Sequence, residues 1–304
     1  MVGHALIGAA DLQRSRYEAD GPEPIRLFNP LSEEHSILRP VMYPTLHAAV
    51  AENARQRRND VRLFDLGKVY WYHPGSPSPR ERRSETAGTG RYESWELGIV
   101  LAGQADAPYP GEQPRAADVA DLKGIVDALH EALGAPRPSY RPEDPERRHP
   151  HRHPGRTGLI CDAGGRAYGS IGELHPAVVE AWGLTGRPVD ASISVDRLLD
   201  LVPAERRADP IPAAQPVDRD LAVVVDEATP VGELLRVARM SAGQLLADVR
   251  LFDAYRGEQV GEGRVSYAIA FRFQPVEPGD ARSVEKALDK VRGSLRHHLK
   301  AEIR

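Results

Sequence analysis

Three histidines spaced two apart, His149, His151 and His153, stand among Arg147, Arg148 and Arg152, and imidazoles so spaced can ligate a transition metal. The interleaved arginines oppose a dication, and Pro150 and Pro154 mark irregular backbone, so the tract reads as a solvated loop. His130-Glu131 begins like the pair of a zinc protease, which needs a second His at position 134, but that residue is Gly134. The lone cysteine, Cys161, excludes an intramolecular disulfide and a thiolate zinc cluster. With no His at motif spacing it reads as a small buried hydrophobe rather than a nucleophile. Nucleotide chemistry has no better support: Gly88-x-Gly90 is too short for a fingerprint, and there is no Gly-Lys-Ser/Thr. The remaining signal is cationic. Arg292, Arg296, Lys300 and Arg304 recur every four residues, which aligns them along one side of a helix that continues that far. From Ala214 onward 14 Lys or Arg face 14 Asp or Glu, so any nucleic-acid footprint must come from such local arrangement and not from bulk charge.

The elements that would position these cations are legible. Leu221 to Val225 is an apolar run between Asp218-Arg219-Asp220 and Asp226-Glu227, as a buried strand requires. Val231 to Met240 switches to helical spacing, with Pro230 as the first helical residue. Strands at Leu246 to Tyr255 and Val265 to Phe273 are joined across Gly257, Gly261 and Gly263. In the latter strand Val265, Tyr267, Ile269, Phe271 and Phe273 alternate with Ser266, Ala268, Ala270 and Arg272. A last helix begins near Asp280 to Ser283 and buries Val284, Ala287 or Leu288, Val291, Leu295 and Leu299, and a short strand can follow it. That order is a ferredoxin-like split βαβ. Its sheet has one face under two helices and one free, where a nucleic acid could lie. Arg219, Arg264, Arg272 and the Tyr255-Arg256 pair are the candidates for phosphate contact and base stacking, although each taken singly reads as a solvated charge.

Before Pro203 the pattern is also mixed α and β. Asn29-Pro30 makes a turn, and Ser32 is placed to accept a backbone N–H from the segment it opens. A helix from about Thr45 to Arg58 buries Leu46, Val50 and Ala54 and ends in Arg55, Arg57 and Arg58. Val61 to Tyr70 and Leu97 to Leu101 read as strands, and Ala117 to Leu133 as a helix closed by Gly134. His153 to Pro176 reads as a hairpin turning at Ala163-Gly164-Gly165. The loops Tyr72 to Arg91 and Gly134 to Pro154 are rich in breakers, and the stretch Pro203 to Pro216 reads as a linker. At 304 residues two unequal domains are expected, 1–206 and 216–304, joined by 207–215. A net charge of −4, no apolar run long enough for a membrane and no signal-peptide start leave nothing that directs the chain out of the cytoplasm.

Pro216-Val-Asp-Arg-Asp-Leu-Ala-Val-Val-Val225 and Val249-Arg-Leu-Phe-Asp-Ala-Tyr-Arg-Gly-Glu-Gln-Val-Gly-Glu-Gly263 resemble the C-terminal ferredoxin-fold anticodon-binding domain of the bacterial phenylalanyl-tRNA synthetase β subunit. The earlier part is similar to the same family at Asn29-Pro-Leu-Ser32 with Leu38-Arg39, at Asn53, at Phe64-Asp-Leu-Gly67, at Asp121-Leu-Lys-Gly124, at His153-Pro-Gly-Arg156 and at Gly172-Glu-Leu-His-Pro176. The resemblance implies an α+β chain: a class II synthetase-like antiparallel-sheet domain, incomplete at its N-terminus, followed by a ferredoxin-like βαββαβ domain. It implies that the first domain has lost its chemistry and docks the catalytic α subunit. Asn29, Pro30, Arg39, Asn53, His153, Arg156, Glu173 and His175 then serve as structural or subunit-interface residues. The second domain would grip the anticodon region of tRNA(Phe) through Arg219, Tyr255, Arg256, Arg264, Arg272, Arg292, Arg296 and Lys300.

The residues agree with lost chemistry. Adenylation needs cations and a divalent metal around a pentavalent phosphate, yet Leu63-Phe-Asp-Leu66 offers no arginine motif and no Gly-x-Gly-x-x-Arg occurs. No cofactor is expected on this chain, with ATP and Mg²⁺ at the α subunit and at an absent upstream β domain. The expected assembly is a heterotetramer of two α and two β subunits, with no membrane. Complete subunits of the family carry an oligonucleotide-fold domain, an editing domain and a magnesium-binding helical domain upstream. Ala5-Leu-Ile-Gly-Ala-Ala10 looks like the middle of a domain, so a truncated or split subunit is expected and editing is not assigned here. The rival reading is a stand-alone ferredoxin-like RNA-binding or regulatory interaction protein. An independent ligase of small substrates lacks the phosphate-binding residues.

Overall fold

A computed structural model of the chain describes residues 1–17, 23–73, 90–106, 114–144, 149–205 and 211–304. Most of the breaker-rich loop expected between Tyr72 and Arg91, together with Arg147, Arg148 and the first part of the expected linker, lies outside the described residues. Contacts divide the chain into two units, Met1–Arg206 and Arg207–Arg304.

The first unit runs β1 (Leu6–Ile7), α1 (Ala9–Arg14), β2 (Ile25–Arg26), β3 (Ile37–Leu38), α2 (Tyr43–Arg55), β4 (Val61–Tyr72), β5 (Arg91–Ala102), α3 (Val119–Leu133), β6 (Ser139–Pro142), β7 (Arg152–Cys161), β8 (Ala167–Leu174), α4 (Pro176–Ala181), β9 (Val189–Ser194) and α5 (Val195–Leu199). Six strands form one antiparallel sheet in the order β4-β5-β9-β8-β7-β6, and β1, β3 and β2 form a smaller one. Side chains of a strand alternate between faces, so β5 feeds two cores. Ile99 and Leu101 pack with Leu122 and Val126 of α3 and Leu198 of α5. Val100 and Ala102 pack on the other side with Met42, with Leu46 and Val50 of α2, and with Val178 of α4. Cys161 is buried, as a small hydrophobe should be.

Local chemistry sets the helix ends. The Asp118 side chain accepts from the Ala120 and Asp121 amides and Asp121 returns a bond to the Asp118 N–H, a reciprocal cap that starts α3 at Val119 instead of Ala117. Helix α2 begins two residues before the expected Thr45, with Pro44 in its first turn, and ends at Arg55. Arg57 turns to φ 61°, so Arg57 and Arg58 lie beyond the helix, and Ala51 is buried in place of Ala54.

The second unit runs β10 (Val217–Asp226), α6 (Val231–Ala242), β11 (Leu246–Tyr255), β12 (Arg264–Phe273), α7 (Ala281–Leu299) and β13 (Glu302–Ile303), with an antiparallel sheet in the order β11-β12-β10-β13. This is the ferredoxin-like arrangement. Leu221, Val223 and Val225, the five apolar residues of β12, Leu234 and Val237 of α6, and Leu288, Val291 and Leu295 of α7 form one core. Pro230 precedes α6 with extended ψ of 132° and caps it; it is not the first helical residue. Helix α7 stops at Leu299 because Lys300 adopts φ 51°. The expected row of four helical cations is therefore broken. Arg304 instead donates to Glu302 at 3.2 Å and to the Gln259 carbonyl at 3.0 Å.

Gly98 of β5 sets how closely α2 approaches the sheet. A Cβ there would lie 2.5 Å from Met42 Cγ and 2.6 Å from Leu46 Cδ1, and both side chains are fully buried. Gly98→Ala is expected to destabilise the chain by about 1–3 kcal/mol through overpacking. Gly124→Ala in α3, where nothing lies within 4 Å of the added methyl, should stabilise it by about 0.5–1 kcal/mol. Urea unfolding of both variants checks the pair, and a neutral Gly98→Ala would sink the close-approach account.

Candidate functional site

Arg39 ties the start of α2 to the edge strand. It is 3% exposed; Nε donates to the Lys68 carbonyl at 3.0 Å and Nη1 to Asp65 Oδ2 at 2.8 Å. Gly67 makes room for it, since a Cβ there would stand 2.1 Å from Arg39 Nη2. Asp65 and Gly67 thus supply a carboxylate to neutralise the guanidinium and bare backbone to admit it. The other motif residues are also structural in their contacts. Asn53 donates to the Ala49 carbonyl at 2.8 Å. Arg156 donates to Glu173 across the β7–β8 hairpin at 2.7 Å. His153 Nδ1 accepts from the Gly155 amide at 3.1 Å, and His175 caps α4 by accepting from Ala177 N at 3.0 Å. Lys123 lies over the Tyr140 ring, whose hydroxyl donates to Asp127 at 2.8 Å. Asn29 and Pro30 are exposed beside the fully exposed Phe28 and Leu31. The Ser32 hydroxyl meets His35 Nδ1 at 3.1 Å and makes no backbone cap.

The histidine tract does not converge. His149 pairs with Glu143 at 2.5 Å, whereas His151 stacks on Tyr43 with ring centroids 3.7 Å apart and points at Asp190. Asp190, the second residue of β9, is 1% exposed and accepts from Arg152 Nε at 2.5 Å. Its Oδ2 lies 3.3 Å from His151 Nε2 and 3.5 Å from His47 Nε2 of α2. Neither approach is aligned as a hydrogen bond. His47 Nδ1 meets the Ser15 hydroxyl at 3.2 Å, which accepts from Trp182 Nε1 at 3.0 Å. Burial pushes the His151 pKa down to about 3, with Arg152 and His47 adding to that and Asp190 opposing it. Burial alone would raise the Asp190 carboxyl, but Arg152, His151 and His47 more than reverse this and hold it well below the usual range. The result is a neutral imidazole beside a buried ion pair, sealed under α2. No reactant could reach it. Sequence reading missed His47, Asp190 and the burial of Arg152, because a lone acid inside an apolar strand pattern names no partner.

In the second unit the face opposite the helices carries Asp218, Asp220 and Asp226, Asp248, Asp253 and Tyr255, and Arg264 and Arg272, with Arg250 and Glu302 alongside. Two of its three guanidiniums are engaged: Arg272 is bidentate on Asp218 at 2.8 and 3.0 Å, and Arg264 reaches Glu302 at 3.2 Å. The bond to Arg272 holds the Asp218 carboxyl below its ordinary pKa. Arg219 is not on this face. Its odd-numbered register puts it with Leu221 and Val223 on the helix side, where Nε donates to Glu285 of α7 at 2.9 Å. Arg256 pairs with Glu227 at 2.7 Å and Arg292 with Asp289 at 2.8 Å. Tyr255 is exposed, as are Arg296 and Lys300. The exposed side of α7 also holds Arg282, Lys286 and Lys290. Their four-residue spacing is legible in the sequence.

Among the described residues no helix is long and apolar enough to cross a membrane. A surface cavity of about 740 Å³ is lined by 1–11 residues such as His4 and Ile7, by Arg14, Arg26 and His35, and by Thr45, and takes in none of the Asp190 cluster.

Asp190→Asn should cost about 3–5 kcal/mol by stranding the buried Arg152 charge, and Asp190→Leu combined with Arg152→Leu should cost less than the single change. Because the folded-state pKa of His151 is depressed, its contribution is complete above the unfolded value of 6.5 and is lost as pH falls from there toward 3. Melting temperatures should therefore drop between pH 7 and 4, and less steeply in His151→Phe. An unchanged slope in that variant would remove His151 from the account.

Residues 1–195 match the family described as phenylalanyl tRNA synthetase beta chain CLM domain, and residues 212–304 match the ferredoxin-fold anticodon binding domain. The phenylalanine–tRNA ligase beta subunit of Symbiobacterium thermophilum is 34% identical over 278 residues, covering 91% of this chain and 29% of that protein. Those of Clostridium acetobutylicum (33% identity, 92% of this chain, 32% of that protein) and Moorella thermoacetica (32% identity, 100% and 36%) are similar. The chain spans about a third of the length of these relatives. With an antiparallel sheet domain and a ferredoxin-fold domain in the order those two matches require, the chain belongs to the phenylalanyl-tRNA synthetase β chain family.

Proposed function

We propose that this chain is a non-catalytic part of phenylalanine–tRNA ligase, in which the first unit docks the catalytic α subunit and the second binds the anticodon region of tRNA(Phe) during ATP-dependent aminoacylation. The observation that carries the reading is the filling of the sheet face under α2. Gly98 has Met42 and Leu46 against it, and the buried carboxylates Asp65 and Asp190 are each taken by an arginine. That face has neither the volume for a nucleotide nor a free carboxylate pair for Mg²⁺ among the described residues, so the residues of that face do not fit either group. ATP and Mg²⁺ are assigned to the α subunit, and the proposed assembly is a heterotetramer of two α and two β subunits acting in the cytoplasm.

For α-subunit docking the candidate surface is apolar. Phe64 and Leu66 of the edge strand β4 and Trp95 of β5 lie on one sheet face, 60%, 52% and 44% exposed. Asn29 and Pro30 sit in the loop that presents Phe28 and Leu31. Arg39, Asn53, His153, Arg156, Glu173 and His175 support the fold of the unit by the contacts given above. For tRNA, Arg296 and Lys300 are unpaired among the described residues and Tyr255 is open for base stacking. Arg219, Arg256, Arg264, Arg272 and Arg292 would each have to leave a carboxylate to reach phosphate.

Co-expression with an α subunit tests the docking half. The α subunit should co-purify with this chain, and Phe64→Asp with Leu66→Asp should weaken capture at least about tenfold, since burying each such side chain is worth about 1.5–3 kcal/mol. Failure of the parent chain to retain an α subunit would instead support a stand-alone ferredoxin-like interaction protein.

A further inference from the structure

We infer that the tRNA phosphate backbone lies along the outer side of α7, on Arg282, Lys286 and Lys290, and not on the open face of the sheet. The inference rests on the reading that the second unit binds tRNA, and it assigns the surface. The second unit is balanced in bulk charge but segregated in space. On the open sheet face the carboxylates outnumber the guanidiniums, and Arg264 and Arg272 are already engaged by Glu302 and Asp218. A polyanion approaching that side meets net negative charge.

The helix side has the opposite character. Burial of Val284, Ala287, Leu288, Val291 and Leu295 turns Arg282, Lys286 and Lys290 to solvent. Of the nearby acids, Glu285 is bound by Arg219 at 2.9 Å and Asp289 by Arg292 at 2.8 Å, while Asp280 caps the helix start beside Arg282 and Lys286 and offsets part of their charge. The three cations make no ion pair among the described residues, and Arg296 continues the surface toward the C-terminus. At 1.5 Å rise per residue they stand about 6 Å apart along the axis, comparable to the step between successive phosphates of a nucleic-acid strand. Arg219 and Arg292 thus act indirectly, by silencing the carboxylates that would otherwise repel the strand.

The test measures binding of the full chain to a tRNA(Phe) transcript from 50 to 200 mM salt. Arg282→Glu, Lys286→Glu and Lys290→Glu together should weaken binding at least about tenfold and reduce the slope of log affinity against log salt by about 2, at roughly 0.7 per phosphate lost. The three Gln substitutions, which keep the helix and remove only charge, should give the same slope with a smaller loss of affinity. Gln at Arg250, Arg264 and Arg272 should leave affinity within about twofold. Unchanged affinity and slope in the α7 variants, or a larger loss in the sheet-face variant, would overturn the assignment while leaving tRNA binding by this unit intact. A parent chain that binds no tRNA would overturn the underlying reading as well.

Discussion

The seating of α2 on the six-stranded sheet governs the first unit. Three contacts hold it: Gly98 admits Met42 and Leu46, Arg39 bridges to Asp65 at the sheet edge, and His47 reaches down to Asp190. Each works only because another group compensates it. A guanidinium as buried as Arg39 or Arg152 is tolerated where a carboxylate meets it, since desolvating either charge alone would cost several kcal/mol. Once α2 is down, that face of the sheet is occupied by the protein itself. The same packing that stabilises the unit fills that face with its own side chains.

In the second unit the governing constraint is charge segregation around a shared apolar core. The alternation of β12 puts five apolar side chains under α6 and α7 and leaves small residues and Arg272 outside. Acids from β10 and β11 gather on that outer face, while cations of α7 face solvent on the opposite side of the domain. Equal numbers of acidic and basic residues therefore do not make a neutral surface. The pairs Arg219–Glu285 and Arg292–Asp289 sharpen the difference, because each removes a negative charge from the helical side.

The sequence determined the elements and the family. Periodicity of two and of 3.6, together with glycines such as Gly134, located most of the longer strands and helices, since those signals act over a few residues, whereas the Asp118 cap and the inner strand β9 were not read. The motifs Asp65-Leu66-Gly67, Asp121-Leu122-Lys123-Gly124 and His153-Pro154-Gly155-Arg156 were visible for the same reason. Tertiary structure decided which side chains meet. His47, Arg152 and Asp190 come from α2, β7 and β9 and are far apart in the chain, so no local pattern announces their cluster. Arg219 left the open face because strand register, set by partners some fifty residues away, fixes which way each residue points. The row ending in Lys300 and Arg304 failed because the chain turns to φ 51° at Lys300 to bring β13 beside β10.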